Sequence, residues 1–132
     1  MSRILIIDDE SDVRTAMARV LERAGHQVEV ADSGEAGMRA FQMRGADLIV
    51  TDVIMPGLNG VELVKQLRDA RFEGRIIVIS GGGNLAAAGY QPGAITTTAY
   101  LAAATKSGAD AVLSKPFERQ ELVDLVNSLL AR

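Results

Sequence analysis

The chain has 132 residues, 48% of them hydrophobic and 23% charged, which is enough for one domain with a buried core. It has no cysteine and one histidine, so the composition excludes a disulfide framework, a thiolate metal site and a cysteine nucleophile. The net charge is −3, and no segment resembles a signal peptide or reaches the ~20 apolar residues of a membrane span, so we expect neither nucleic acid nor a membrane as a partner.

Short apolar runs alternate with amphipathic segments along the chain. The runs predict strands at 3–7, 27–31, 47–51, 75–79 and 109–113. The amphipathic segments predict helices at 12–24 with Ser11 as N-cap, at 33–43, at about 61–67, from Thr96 or Thr97 to Lys106, and at about 118–130. Continuous apolar strands are typical of a parallel sheet that is buried on both faces. The alternation therefore predicts an α/β domain with a doubly wound five-stranded parallel sheet.

The residues that follow the predicted strands carry polar and charged side chains. In open parallel sheets, ligands bind beyond the carboxyl ends of the strands. These ends carry Asp8, Asp9 and Glu10 after the first strand, Asp52 after the third, Ser80 after the fourth and Lys115 after the fifth. Crowded carboxylates resist ionisation unless a cation compensates them, and oxygen ligands without His or Cys favour Mg²⁺.

The same side chains suit phosphoryl transfer to a carboxylate. An aspartate can act as nucleophile and carry a covalent phosphoryl group. A lysine supplies positive charge and a serine a hydrogen bond for the phosphoryl oxygens. The residues therefore predict in-line phosphoryl transfer to an aspartate, with a metal ion and a lysine neutralising the charge.

Four segments resemble a known family: ILIIDDE at 4–10, DLIVTDVIMPGLNG at 47–60, IIVIS at 76–80 and AVLSKPF at 111–117. In their order and placement they resemble the receiver domains of bacterial two-component response regulators, in particular the chemotaxis-type single-domain regulators. The resemblance covers nearly the whole chain. It implies one flavodoxin-like (βα)5 domain over residues 1–132, with strand order 2-1-3-4-5. We expect no effector domain to follow it.

The resemblance also implies a role for each matching residue. Asp52 would accept the phosphoryl group, Ser80 would be the hydroxyl that moves towards it, and Lys115 would pair with it. The Mg²⁺ site would comprise Asp9 as a direct ligand, Asp8 through water or by orientation, Asp52, and the backbone carbonyl of Ile54. The Lys115–Pro116 peptide bond is expected to be cis, which costs little at proline.

The implied function is that of a cytoplasmic phosphoacceptor in a two-component phosphorelay. It would take a phosphoryl group from a sensor histidine kinase or a histidine phosphotransfer protein, and so switch its binding to a downstream protein. Its activity would be Mg²⁺-dependent self-phosphorylation and slow self-dephosphorylation, not that of a metabolic enzyme. A degenerate receiver acting as a phosphorylation-independent adaptor is the alternative. A flavin carrier of the same topology would need a phosphate loop where Asp8, Asp9 and Glu10 stand.

Three features depart from the usual receiver pattern. Val112 stands where receivers carry Tyr or Phe, so it cannot report the switch by the rotation of an aromatic ring. Ile54 and Gly82 offer no acid or amide to orient a hydrolytic water, which predicts the slow dephosphorylation. The 34 residues between Ser80 and Lys115 exceed a helix with two short loops by about a dozen, which indicates an insertion at about 82–95.

The uncharged segment 81–105 around this insertion has two interpretations. It is either a flexible loop of small residues or a surface for docking and homodimerisation. An uncharged surface of small residues is compatible with the core of an interface.

Overall fold

The computed structural model describes residues 2–80 and 102–131. Its strands are β1 (Arg3–Ile7), β2 (Gln27–Ala31), β3 (Leu48–Asp52), β4 (Arg75–Ser80) and β5 (Ala111–Ser114). Its helices are α1 (Ser11–Arg23), α2 (Gly34–Arg44), α3 (Gly60–Asp69), helical residues 102–107, here called α4, and α5 (Arg119–Leu130). The predicted insertion at 82–95, Gly82, the start of the predicted fourth helix and most of segment 81–105 lie outside the described residues.

The five strands form one parallel sheet in the order β2-β1-β3-β4-β5, which confirms the predicted fold class and strand order. β1 and β3 lie in the interior of the sheet. All five residues of β3 and four of the five in β1 are buried, because helices cover both faces. The apolar runs of β1 and β3 therefore correspond to strands that are buried on both faces of the sheet.

Alternate residues of the strands supply two separate hydrophobic clusters, one on each face of the sheet. On one face the strand residues pack with α2, α3 and Ala104 of α4. On the other they pack with α1 and α5, through Met17, Leu21, Leu122 and Val126 among others. This layering leaves the carboxyl edge of the sheet open between the helices.

Several predicted boundaries differ from the observed ones by one or two residues, and local hydrogen bonds explain two of these differences. Glu10, not Ser11, is the N-cap of α1, since the Glu10 carbonyl accepts the amide of Arg14 at 3.0 Å. β5 begins at Ala111 instead of residue 109. The amide of Ala109 donates to the Ala104 carbonyl at 3.0 Å and so closes α4 before the strand can begin.

Arg68, near the end of α3, joins several segments at the edge where the strands begin. Its guanidinium donates to Asp110 at 2.9 Å and, at 2.7 to 3.1 Å, to the carbonyls of Phe72, Gly74 and Gly108. Asp110 in turn accepts the amide of Ile76 at 2.8 Å. Arg68 thereby joins the segments that precede β4 and β5, at the edge of the sheet opposite the carboxylates at the ends of β1 and β3.

Replacing Arg68 with methionine is expected to lower the free energy of unfolding by about 2–3 kcal/mol, because several partly buried acceptors lose a charged donor. Urea denaturation measures the change. Lys65→Met, at an exposed position of the same helix, is the control and should stay within about 0.5 kcal/mol of the unsubstituted chain. Equal stability of the two variants would contradict the role given to Arg68.

Candidate functional site

The carboxyl edge of the sheet brings together the residue that follows β1 and the last residue of β3. The two strands are paired with Ile7 opposite Thr51, so Asp8 and Asp52 come next to each other at the edge. Asp8 is fully buried and Asp52 is 4% exposed. Two ionisable carboxyl groups are thus held away from water at the place where open parallel sheets bind ligands.

Three carboxyl groups converge there. Carboxylate oxygens of Asp8, Glu10 and Asp52 all lie within 4.8 Å of one another. The turn after β1 is held by the Asp8 carboxylate, which accepts the amide of Glu10 at 2.9 Å. Arg14 in the first turns of α1 donates to the Asp8 carbonyl at 2.7 Å. We name Asp8, Glu10 and Asp52 the carboxylate cluster.

Lys115 places its amine in this cluster. Its Nζ lies 3.3 Å from Asp52 Oδ2, 3.4 Å from Asp8 Oδ2 and 3.9 Å from Glu10 Oε1. The lysine follows β5 directly, and its amide donates to the Ser80 carbonyl at 2.8 Å, which fixes the end of β5 against β4. The Lys115–Pro116 peptide bond is cis, as predicted.

One amine does not balance the carboxylate cluster. Burial is the main cause that raises the pKa of Asp52 to about 7; Lys115 opposes this rise, and the neighbouring charge of Asp8 contributes to it. Burial lowers the pKa of Lys115, but Asp52 and Asp8 outweigh this effect and raise it. With all groups ionised, three negative charges and one positive charge leave a formal charge of −2. An oxygen-only ligand set of this charge fits a hard divalent cation such as Mg²⁺.

Ser80 completes the edge on the β4 side. It ends β4, is 3% exposed, and its Oγ donates to Ser114 Oγ at 3.4 Å. Ile54 lies two residues after Asp52, and its amide donates to Asp52 Oδ1 at 3.5 Å. Val112, on β5, is 37% exposed and carries no ring.

The structure thus brings Asp8, Asp52, Ser80 and Lys115 to one edge, with Ile54 beside Asp52. Asp9 is not a member of the carboxylate cluster, and Glu10 is. Glu10 was predicted to lie among the carboxylates at the end of the first strand but not to be a Mg²⁺ ligand, and no role was predicted for Arg14. Glu10 was signalled only by its place in the acidic run, and Arg14 by its position one helical turn beyond that run.

Helices long and apolar enough to cross a membrane are absent from the described ranges, 2–80 and 102–131.

Comparison with known proteins relates this chain to one family. The family model described as response regulator receiver domain matches residues 4–127. RegA, the photosynthetic apparatus regulatory protein of Rhodobacter capsulatus, is 36% identical over 98% of this chain and 61% of its own length. The response regulator receiver protein CpdR of Brucella abortus is 30% identical over 98% of both chains. The chain therefore spans less than two thirds of RegA but nearly all of CpdR.

Solved structures show the same architecture. A response regulator receiver domain protein from Clostridium thermocellum superposes with a TM-score of 0.80 at 30% identity, covering 100% of this chain and 96% of the other. The chemotaxis protein CheY4 of Vibrio cholerae superposes with a TM-score of 0.81 at 25% identity, covering 98% of each chain.

Replacing Asp52 with asparagine is expected to stabilise the Mg²⁺-free protein above pH 7. The carboxyl has a pKa of about 7 in the folded chain against 3.8 as a free side chain, so the folded state binds the proton more tightly. The contribution of this tighter proton binding to the free energy of unfolding is fully present below pH 3.8 and is lost as the pH rises through about 7. Asparagine does not ionise, so the variant should exceed the unsubstituted chain by about 2–4 kcal/mol at pH 8 and by little near pH 4.

Urea denaturation in a chelator at the two pH values measures this difference. Glu73→Gln, an exposed substitution, is the control and should leave stability unchanged at both. The stability difference between Asp52→Asn and the unsubstituted chain should grow with pH. A difference that stays constant would show that the carboxylate cluster does not hold uncompensated charge.

Proposed function

This chain belongs to the response regulator receiver domain family of two-component systems, and on that premise we propose that it accepts a phosphoryl group on Asp52. One observation supports this proposal most strongly: a buried carboxylate at the end of β3 has an amine 3.3 Å away and two further carboxylates beside it. A carboxylate that served packing alone would not be surrounded by uncompensated charge of its own sign.

In the proposed reaction an Asp52 carboxylate oxygen attacks the phosphorus of a phosphohistidine in line. The new O–P bond forms as the N–P bond breaks, and the imidazole of the donor keeps that electron pair. Lys115 is already within 3.3 Å of Asp52, so its charge can pass from the carboxylate to the incoming phosphoryl oxygens. Ser80, at the end of the neighbouring strand, supplies a hydroxyl donor to the same oxygens.

Receiver domains bind Mg²⁺ at an acidic pocket, and the carboxylate cluster of this chain is such a pocket. We propose that Asp8, Asp9 and Asp52, with the carbonyl of Ile54, hold the ion, and that Glu10 contributes from the cluster. When bound, Mg²⁺ supplies positive charge to the transferring phosphoryl oxygens. The raised pKa of Asp52 supports this proposal, because a divalent cation compensates the charge that Lys115 leaves unbalanced.

The proposed phosphodonor is a sensor histidine kinase or a histidine phosphotransfer protein in the cytoplasm, and the output is altered binding to a downstream protein. A groove of about 640 Å³ beside the site supports a protein donor. Lys115 lines it together with α1 and the segment after β5, and the lining includes apolar Val13, Val20 and Phe117. A donor helix resting there would bring its histidine close to Asp52.

Incubation with acetyl phosphate and Mg²⁺ is expected to add one phosphoryl group to the chain and none to Asp52→Asn, because the amide is not a nucleophile. Mass spectrometry of the intact protein measures the addition. Glu73→Gln is the matched control and should be labelled like the unsubstituted chain. Absence of labelling of the unsubstituted chain would favour the phosphorylation-independent adaptor instead.

Ala16→Glu is expected to slow transfer from a phosphohistidine protein at least fivefold while acetyl phosphate still labels the variant normally, because the larger side chain enters the groove. Thr15→Glu is the matched control, since this neighbouring position on α1 is exposed and does not line the groove. Time courses of phosphoryl transfer with the two donors measure both rates. Equal slowing with both donors would show that the groove does not receive the protein donor.

A further inference from the structure

We propose that Ser114 is a positioning residue that holds the Ser80 hydroxyl in the unphosphorylated protein and competes with the phosphoryl group for it. This inference rests on the proposed role of Asp52. It adds a residue outside the proposed reaction centre that sets how readily the chain enters its phosphorylated conformation.

The register of the sheet places the two serines together. Ser80 and Ser114 are directly paired in the parallel ladder of β4 and β5. The next residue, Lys115, donates its amide to the Ser80 carbonyl at 2.8 Å, so the pairing is fixed at that point. Directly paired residues of neighbouring strands project to the same face, which brings the two hydroxyls within reach of each other.

The two hydroxyls are joined by a hydrogen bond. Ser80 Oγ donates to Ser114 Oγ at 3.4 Å, with Ser80 only 3% exposed and Ser114 exposed at the end of β5. A hydroxyl group has one proton to donate. While Ser80 donates it to Ser114, the same proton is not available to an acceptor at Asp52.

Phosphorylation of Asp52 creates acceptor oxygens that compete for that proton. When Ser80 turns to them, it must give up Ser114, and the exposed Ser114 hydroxyl then bonds to water. A bond that exists only in the resting state favours that state, so its removal shifts the equilibrium towards the phosphorylated conformation. The expected shift is about two- to threefold, the low end of the range for one neutral hydrogen bond, because 3.4 Å is long for two hydroxyl oxygens.

The test measures the affinity for beryllofluoride, a phosphoryl mimic, and the rate of labelling by acetyl phosphate, both with Mg²⁺. Ser114→Ala should bind the mimic about two- to threefold more tightly and be labelled correspondingly faster, and its urea midpoint should fall slightly because the resting state loses the bond. Ser114→Thr keeps the hydroxyl and should behave like the unsubstituted chain. In a Ser80→Ala background, Ser114→Ala should have no effect, because the competing proton is gone.

The outcomes separate this inference from the proposed function. An unsubstituted chain that acetyl phosphate does not label refutes the role of Asp52. A labelled chain in which Ser114→Ala binds the mimic equally or more weakly overturns the role of Ser114 alone. An effect of Ser114→Ala that persists in the Ser80→Ala background also overturns it, because Ser114 would then act without Ser80.

Discussion

The carboxylate cluster and Lys115 hold uncompensated negative charge at the carboxyl edge of the sheet, and this charge determines the chemistry of the site. Burial of Asp52 beside Asp8 raises its pKa to about 7, and one amine 3.3 Å away does not cancel the surrounding charge. Such an arrangement costs folding stability, because buried charges need compensation. Uncompensated buried charge is typical of functional sites. We propose that here it binds a divalent cation and thereby prepares Asp52 to accept a phosphoryl group.

The fold makes this arrangement possible by separating stability from chemistry. The parallel sheet buries apolar residues on both faces and leaves only its carboxyl edge for polar side chains. At the opposite edge Arg68 and Asp110 hold the beginnings of β4 and β5 together. The carboxyl edge can therefore hold uncompensated charge while the core and the Arg68 network keep the strands in register. Ser114 also lies at the carboxyl edge, because the register that pairs it with Ser80 places it next to Lys115.

The sequence predicts much of this site because strand ends can be located without coordinates. Apolar runs mark the strands, and the residues just after them must share an edge, which is why Asp8, Asp52 and Lys115 were predicted together. The run Asp8, Asp9, Glu10 does not reveal which carboxylates turn inwards, because the turn after β1 decides that. The structure places Glu10, not Asp9, in the carboxylate cluster. The contact of Ser114 with Ser80 depends on the register of β4 and β5, which periodicity does not determine.

A carboxyl-carbon NMR titration of Asp52, with and without Mg²⁺, would show whether this carboxyl is held in uncompensated charge that a cation relieves. Without Mg²⁺ we expect a pKa of about 7 for Asp52. With saturating Mg²⁺ we expect a pKa well below that value, because the cation favours the ionised carboxylate. A pKa near 3.8 that Mg²⁺ does not move would show instead that Asp52 is an ordinary carboxylate, with no uncompensated charge for a cation to balance.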